Sequence, residues 1–186
     1  MSKRILLSIA SLILSSLACT MYIGGPEYPE TQIPISTETA ASVEELIDLA
    51  VQTAQETGVL TISISEAQLT SLIAAKMAAE QDPFLTEPQV YLRNGEIQIY
   101  GKATQGNFAA TVRIVLSATV DANGQPKIAV VSTDLGPLPA PDGLNNSISA
   151  VVNEAFTGGL GPAAIGFRLE TITIADGLMT LAGRIK

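Results

Sequence analysis

The chain of 186 residues has no histidine, no tryptophan and a single cysteine. Each absence removes a class of chemistry. Without histidine there is no Ser-His-Asp or Cys-His nucleophile pair of the usual kind. Without histidine and with one cysteine there is no ordinary ligand set for zinc, haem or an iron–sulfur cluster, and no disulfide can close within the chain. Positive charge is also scarce. Ten Lys+Arg stand against eighteen Asp+Glu, a net charge of −8, so the electrostatic footprint of a nucleic-acid binder is missing. Charged residues make up only 15% of the chain and apolar ones 47%, too apolar a balance for disorder. Neither Gly-x-Ser-x-Gly nor Ser-x-x-Lys occurs, which leaves no motif for a hydrolase working without histidine. The expectation is a non-enzymatic domain with no cofactor, no metal and no nucleic-acid partner.

What is present begins with an address. Lys3 and Arg4 form a short positive stretch, and Ile5 to Leu14 follows as an almost wholly apolar run. The run is shorter than the ~20 residues a membrane span needs, so residues 1–18 read as a secretory signal peptide. The signal ends in Ser16-Leu17-Ala18-Cys19, and Cys19 is the only cysteine. A lone cysteine directly after such a run resembles the lipobox of bacterial lipoproteins, although Ser16 stands where a large aliphatic residue is usual. The resemblance implies cleavage before Cys19, acylation of Cys19, and attachment of the chain to the cell envelope through that residue. On the alternative reading, Ser16-Leu17-Ala18 is an ordinary small-x-small cleavage site, Cys19 is incidental and the protein is secreted. Both place the domain outside the cytoplasm. Cleavage leaves eight basic against eighteen acidic residues, a net charge of −10. An acidic chain is no polybasic membrane binder, so the anchor or an apolar surface must make any membrane contact.

Residues 20–41 hold Gly24-Gly25, Pro26, Pro29 and Pro34 and show no period of 2 or 3.6. With Cys19 they read as a lipidated tether, 19–41, reaching on the order of 25 Å if coil-like. Residues 42–186 read as one domain. Ser42-Val43-Glu44-Glu45 has the form of a capping box, and Val43, Leu46, Ile47, Ala50, Val51 and Ala54 recur at helical spacing up to Gly58. Leu60, Ile62 and Ile64 alternate along a strand. Ser65-Glu66-Ala67-Gln68 is a second capping box, with Ile64 and Leu69 placed as a hydrophobic staple. That helix must end before Asp82-Pro83.

Antiparallel β structure follows. Asn94-Gly95 between apolar alternations is a hairpin signal. A long strand alternates from Phe108 to Val120 and turns at Asp121-Ala122-Asn123-Gly124 into Lys127–Thr133. Asp142 is placed to cap a third helix over 142–157, and Asp176-Gly177 centres a last hairpin. The two hairpins look alike: Asn94-Gly95 is followed by Gly101-Lys102, and Asp176-Gly177 by Gly183-Arg184, at the same offset from the turn glycine. Two helix–hairpin units argue for one sheet with helices on one face, an α+β layout.

Several candidate sites are better explained as structure. Glu44, Glu45 and Asp48 fit the favourable end of a helix dipole. Asp121-x-Asn123-Gly124 opens like a calcium loop but lacks the distal Glu. Gly158-Gly159-Leu160-Gly161-Pro162 lacks the Lys-Ser/Thr of a phosphate cradle. Tyr91, Tyr100, Phe108 and Phe156 fit packing better than ligand contact.

Ser65-Glu66-Ala67-Gln68-Leu69-Thr70-Ser71-Leu72-Ile73, Val90-x-Leu92-x-Asn94-Gly95 with Gly101, Gly136-Pro137-Leu138-Pro139, and Ile172-x-Ile174-x-Asp176-Gly177 with Gly183 together resemble the LmeA-like and YpmS-like small envelope proteins. The resemblance covers about residues 59–186. Thr70 departs from it, since the pattern favours Asn there. It implies a tubular lipid-binding (TULIP-like) fold, a curved antiparallel sheet packed against or wrapped around helices, and binding of a lipid or other apolar ligand, with no catalytic residue. Groove-lining positions would then be Leu69, Leu72 and Ile73 on the second helix, Val112, Ile114 and Leu116 on the long strand, and Ile148, Val152 and Phe156 on the third helix. The competing reading keeps those residues as plain core and makes the protein a scaffolding envelope lipoprotein acting through protein contacts.

Overall fold

A computed structural model describes residues 21–79, 85–137, 167–175 and 177–185. The described chain is α+β, with two helices against a strongly curled sheet that forms a half-barrel. A five-stranded sheet contains β1 (Met21–Tyr22), β3 (Thr86–Arg93), β4 (Glu96–Gln105), β5 (Phe108–Val120) and β6 (Pro126–Asp134). Its order is β1-β5-β4-β3, and β6 pairs with the far half of β5. The parallel β1 makes it mixed; the other pairings are antiparallel. A three-stranded sheet holds β2 (Val59–Ser65), β8 (Leu178–Ile185) and β7 (Phe167–Ala175) in that order. β7 crosses one end of the larger sheet. The Leu169 amide donates to Gly124 O in the β5–β6 turn, and the Gly177 amide donates to Leu92 O on β3.

Helix α1 (Thr37–Thr57) starts earlier than its sequence pattern predicts. Ser36, not Ser42, is the N-cap, accepting from the Thr39 amide. Ser36-x-x-Thr39 offers as good a cap, and Ala40 and Ala41 carry helix readily. Ser42 lies inside the helix, where its hydroxyl donates to Thr39 O and accepts from Gln68 Nε2. The C-terminus is as expected: Gly58 takes φ 77° and its amide bonds Ala54 O. Helix α2 (Glu66–Ala78) has the Ser65/Gln68 capping box in full. Ile64 and Leu69, the staple pair, are both buried in the core. The hairpin turn at Asn94-Gly95 has both residues at positive φ, 56° and 79°, as a type I′ turn requires. Asp121 Oδ1 accepts from the Asn123 and Gln125 amides at 2.8 Å, and these bonds hold its carboxyl below the ordinary carboxylate range. The loop is a hairpin turn. The helix expected over 142–157 lies outside the described residues, as do Cys19 and the stretch 1–18 expected to be a signal peptide.

One segment departs from expectation as a whole. Residues 21–36 do not form a free spacer. They run across the outer face of the larger sheet as a strap. Met21 and Ile23 amides bond Asn107 O and Ala109 O, and the Thr111 amide bonds Gly24 O at 3.0 Å. Gly25 then passes so close over Thr111 that a Cβ would collide with its carbonyl, and it packs against Gly136 on its other side. Further on, Tyr28 sits edge-on to Tyr100 on β4. Tyr91 Oη donates to Thr31 O at 2.6 Å, and the buried Gln89 amide grips Ile33 through both its carbonyl and its N–H. The strap thus visits β5, β4 and β3 in turn. It ends at the Ser36 amide, which donates to Ser71 Oγ on α2. Between its prolines, side chains of the sheet bond the backbone of Thr31 and Ile33.

Candidate functional site

β3 is an edge strand, and unpaired edges invite further pairing. Here the edge is closed residue by residue. Thr70, fully buried, accepts from the Val90 amide at 3.0 Å. Glu66 accepts from the Leu92 amide at 2.7 Å and pairs with Arg93. Two residues before Val90 stands Pro88, which has no N–H to offer. Thr70 and Glu66 together therefore fasten α2 to β3.

Between Thr86 and Gln89 the β3–β4 register slips. Glu87 sits in that bulge at φ +50°, an uncommon conformation for a non-glycine residue. Beside this bulge, between α2 and β3, lies a groove of about 430 Å³. One wall is the small-residue side of α2, from Ser71 through Ala74, Ala75 and Ala78, with Met77. The second is Leu85 to Pro88, and the third is Ile35 to Thr37 at the strap's end. Its lining is almost wholly apolar, with Ser36, Thr37, Ser71, Thr86 and Glu87 as the polar residues along it. A second hollow of about 280 Å³ shares Ile35 and Glu87 with it and continues under the strap past Tyr28. The Tyr28 hydroxyl donates to Glu87 O, and burial, then Glu87 and Tyr91, push its pKa up to about 12. Lys102 Nζ meets the Glu87 carboxylate at 2.6 Å.

The positions expected to line a groove lie elsewhere. Leu69, Val112, Ile114 and Leu116 are buried in one continuous core cluster, with Leu72 and Ile73 packed against it. None of them borders the groove, which runs along another side of α2. Ile148, Val152 and Phe156 lie outside the described residues. Tyr91 and Tyr100 stack edge to face beneath the strap. Glu44, Glu45 and Asp48 are exposed on α1. The groove residues Ile35, Ala74, Ala75, Leu85 and Pro88 escaped the sequence reading. The available signal was the Ser71–Ala74–Ala75–Ala78 spacing, a stripe of small side chains on one helix face. Among the described residues, no helix is long and apolar enough to cross a membrane, and no cluster of acidic or cysteine side chains is placed to hold a metal. No family model, curated protein or solved structure matches this chain.

Proposed function

We propose that this protein is an exported envelope domain, anchored by acylation of Cys19, that holds a lipid tail or similar apolar molecule in the groove between α2 and β3. The groove carries this reading. Its volume falls within the range of small-molecule sites, and such sites are lined mainly by apolar side chains with a few placed polar groups. The half-exposed Ile35 at its mouth gains from cover by an apolar ligand. The resemblance of residues 59–186 to LmeA-like and YpmS-like envelope proteins supports the same class of ligand, and the signal peptide with its terminal cysteine supports the location.

Native mass spectrometry tests the groove. The Cys19→Ala chain carries no covalent lipid, so any co-purifying lipid is a bound one. It is expected to show such an adduct, and Ala75→Trp in the same background, which fills the groove, is expected to lose it. An adduct that survives Ala75→Trp, or none in repeated preparations, overturns the reading. Palmitate labelling of wild type against Cys19→Ala tests the anchor separately; equal labelling removes it. A second reading, a scaffolding envelope lipoprotein, draws on one observation: Leu69, Val112, Ile114 and Leu116, expected to line a groove, belong to the buried core cluster. Cross-linking in cells would then recover a specific protein partner, and removal of lipid would leave that contact unchanged.

A further inference from the structure

The end of the strap nearest Cys19 carries an exposed apolar rim. Met21 on β1 lies directly beside Phe108 on β5. The Met21 amide bonds Asn107 O in the β4–β5 turn at 2.7 Å. Met21 is 59% exposed and Phe108 45%, and Tyr22, also 59% exposed, flanks them with its hydroxyl tied to Thr111 Oγ1 at 2.9 Å. Phe108 belongs to the alternation whose next members, Ala110, Val112, Ile114 and Leu116, are buried. The core-facing row of β5 therefore runs on into solvent at this rim.

Charge is distributed to match. The chain carries eighteen acidic residues, yet residues 21–26 and 103–112, which build the rim, contain no Asp, Glu, Lys or Arg. Length then decides what covers the rim. Cys19 is two residues from Met21, a reach of at most ~7 Å. The polar headgroup layer is roughly 5–7 Å deep on each side of a bilayer. An acyl chain on Cys19 thus leaves the rim no room to stand clear of the headgroups. Exposed Phe, Met and Tyr side chains are suited to that layer.

We propose that Met21, Tyr22 and Phe108 form a membrane-seated rim, so that the domain stands with the β4–β5 turn against the lipid surface rather than floating on a tether. The proposal rests on acylation of Cys19. It fixes an orientation: the Asn94-Gly95 turn and Leu178 lie at the other end of β4, whose ten residues span about 30 Å at the usual strand rise.

The absence of tryptophan makes the test direct. Full-length chain carrying Phe108→Trp or Leu178→Trp is reconstituted, each labelled with palmitate, into vesicles of brominated phosphatidylcholine. Trp at 108 is expected to lose most of its emission and Trp at 178, equally exposed in the parent chain, almost none. Without substitution, amide exchange at Asn107 and Phe108 is expected to slow several-fold in vesicles relative to detergent-free Cys19→Ala protein. A palmitate-labelled chain with position 108 unquenched, or with both positions quenched alike, overturns the rim and leaves the anchor standing. A chain that takes no palmitate overturns both.

Discussion

The β3–β4 and β7–β8 hairpins use the same device in different surroundings. Each turns on a glycine at positive φ, Gly95 and Gly177. Six residues on, each places a second glycine, Gly101 and Gly183, opposite or beside a register slip in the preceding strand. The cation that follows pairs with the glutamate of that slip: Lys102 with Glu87, and Arg184 with Glu170 at 3.2 Å. What lies over the glycine differs: the Leu85 side chain covers Gly101, while the β7 backbone at Arg168 and Leu169 lies against Gly183. The likeness visible in sequence thus extends to bulge, glycine and ion pair together. The surroundings differ. β3–β4 is covered on its outer face by the strap and borders the groove, while Arg168, Glu170, Thr171 and Thr173 of β7 are exposed. The Glu87 bulge thus borders a groove whose other walls are α2 and the strap's end.

Alanine at the two glycines separates the hairpins most. A Cβ at Gly183 would lie 2.5 Å from Arg168 O and 3.0 Å from Leu169 Cα, both backbone atoms. At Gly101 it would lie 2.5 Å from Leu85 Cγ, a side chain that can re-seat. Gly183→Ala is expected to destabilise by about 3 kcal/mol and Gly101→Ala by about half that, within the usual range for overpacking. Urea midpoints measure both; the reverse ranking would break the comparison.

The covered face gives the next contrast. Gln89 and Thr171 stand at the same offset before their turn glycines. Gln89→Ala removes both bonds to Ile33 and is expected to cost about 1–3 kcal/mol, the penalty for stranding buried polar groups. It should also expose residues 21–35 to protease first. Thr171→Ala, on an exposed face, is expected to stay within about 0.5 kcal/mol. Thermal melts and limited proteolysis check the pair.

The ion pairs should differ least. Both have exposed partners, so Lys102→Ala and Arg184→Ala are each expected to cost under about 1 kcal/mol. A large loss confined to Lys102→Ala would instead mean that Glu87 depends on its partner to hold the bulge.

Elements defined by neighbours in sequence were legible. Alternation marked β2, β5 and the two hairpins, the Ser65/Gln68 box marked α2, and Gly58 marked the end of α1. The strap was not legible, because it crosses strands instead of running along one. Its contacts fall at Tyr22, Tyr28, Thr31 and Ile33, spacing that matches no period. Its apolar and aromatic residues looked like scatter among prolines. The start of α1 was missed for a related reason: two serines six residues apart both suit a cap, and docking of Ser36 onto Ser71 favours the earlier. The groove needed three elements brought together, and no local pattern encodes that. Leu69, Val112 and their companions were recognisable as apolar and inward-facing. Whether that meant core or cavity depended on packing opposite them.

The strap also sets an order of events. Its bonds reach 56 residues ahead from Ile33 to Gln89 and 89 from Tyr22 to Thr111. Contacts of such separation close late, because the intervening chain must first be ordered. The segment beside Cys19 leaves the ribosome before any part of β3, β4 or β5, and it has no surface to dock on until β5 has been made. Through that interval it is an open peptide, within reach of any protease. Docking then withdraws the same residues, so that window closes when the sheet does.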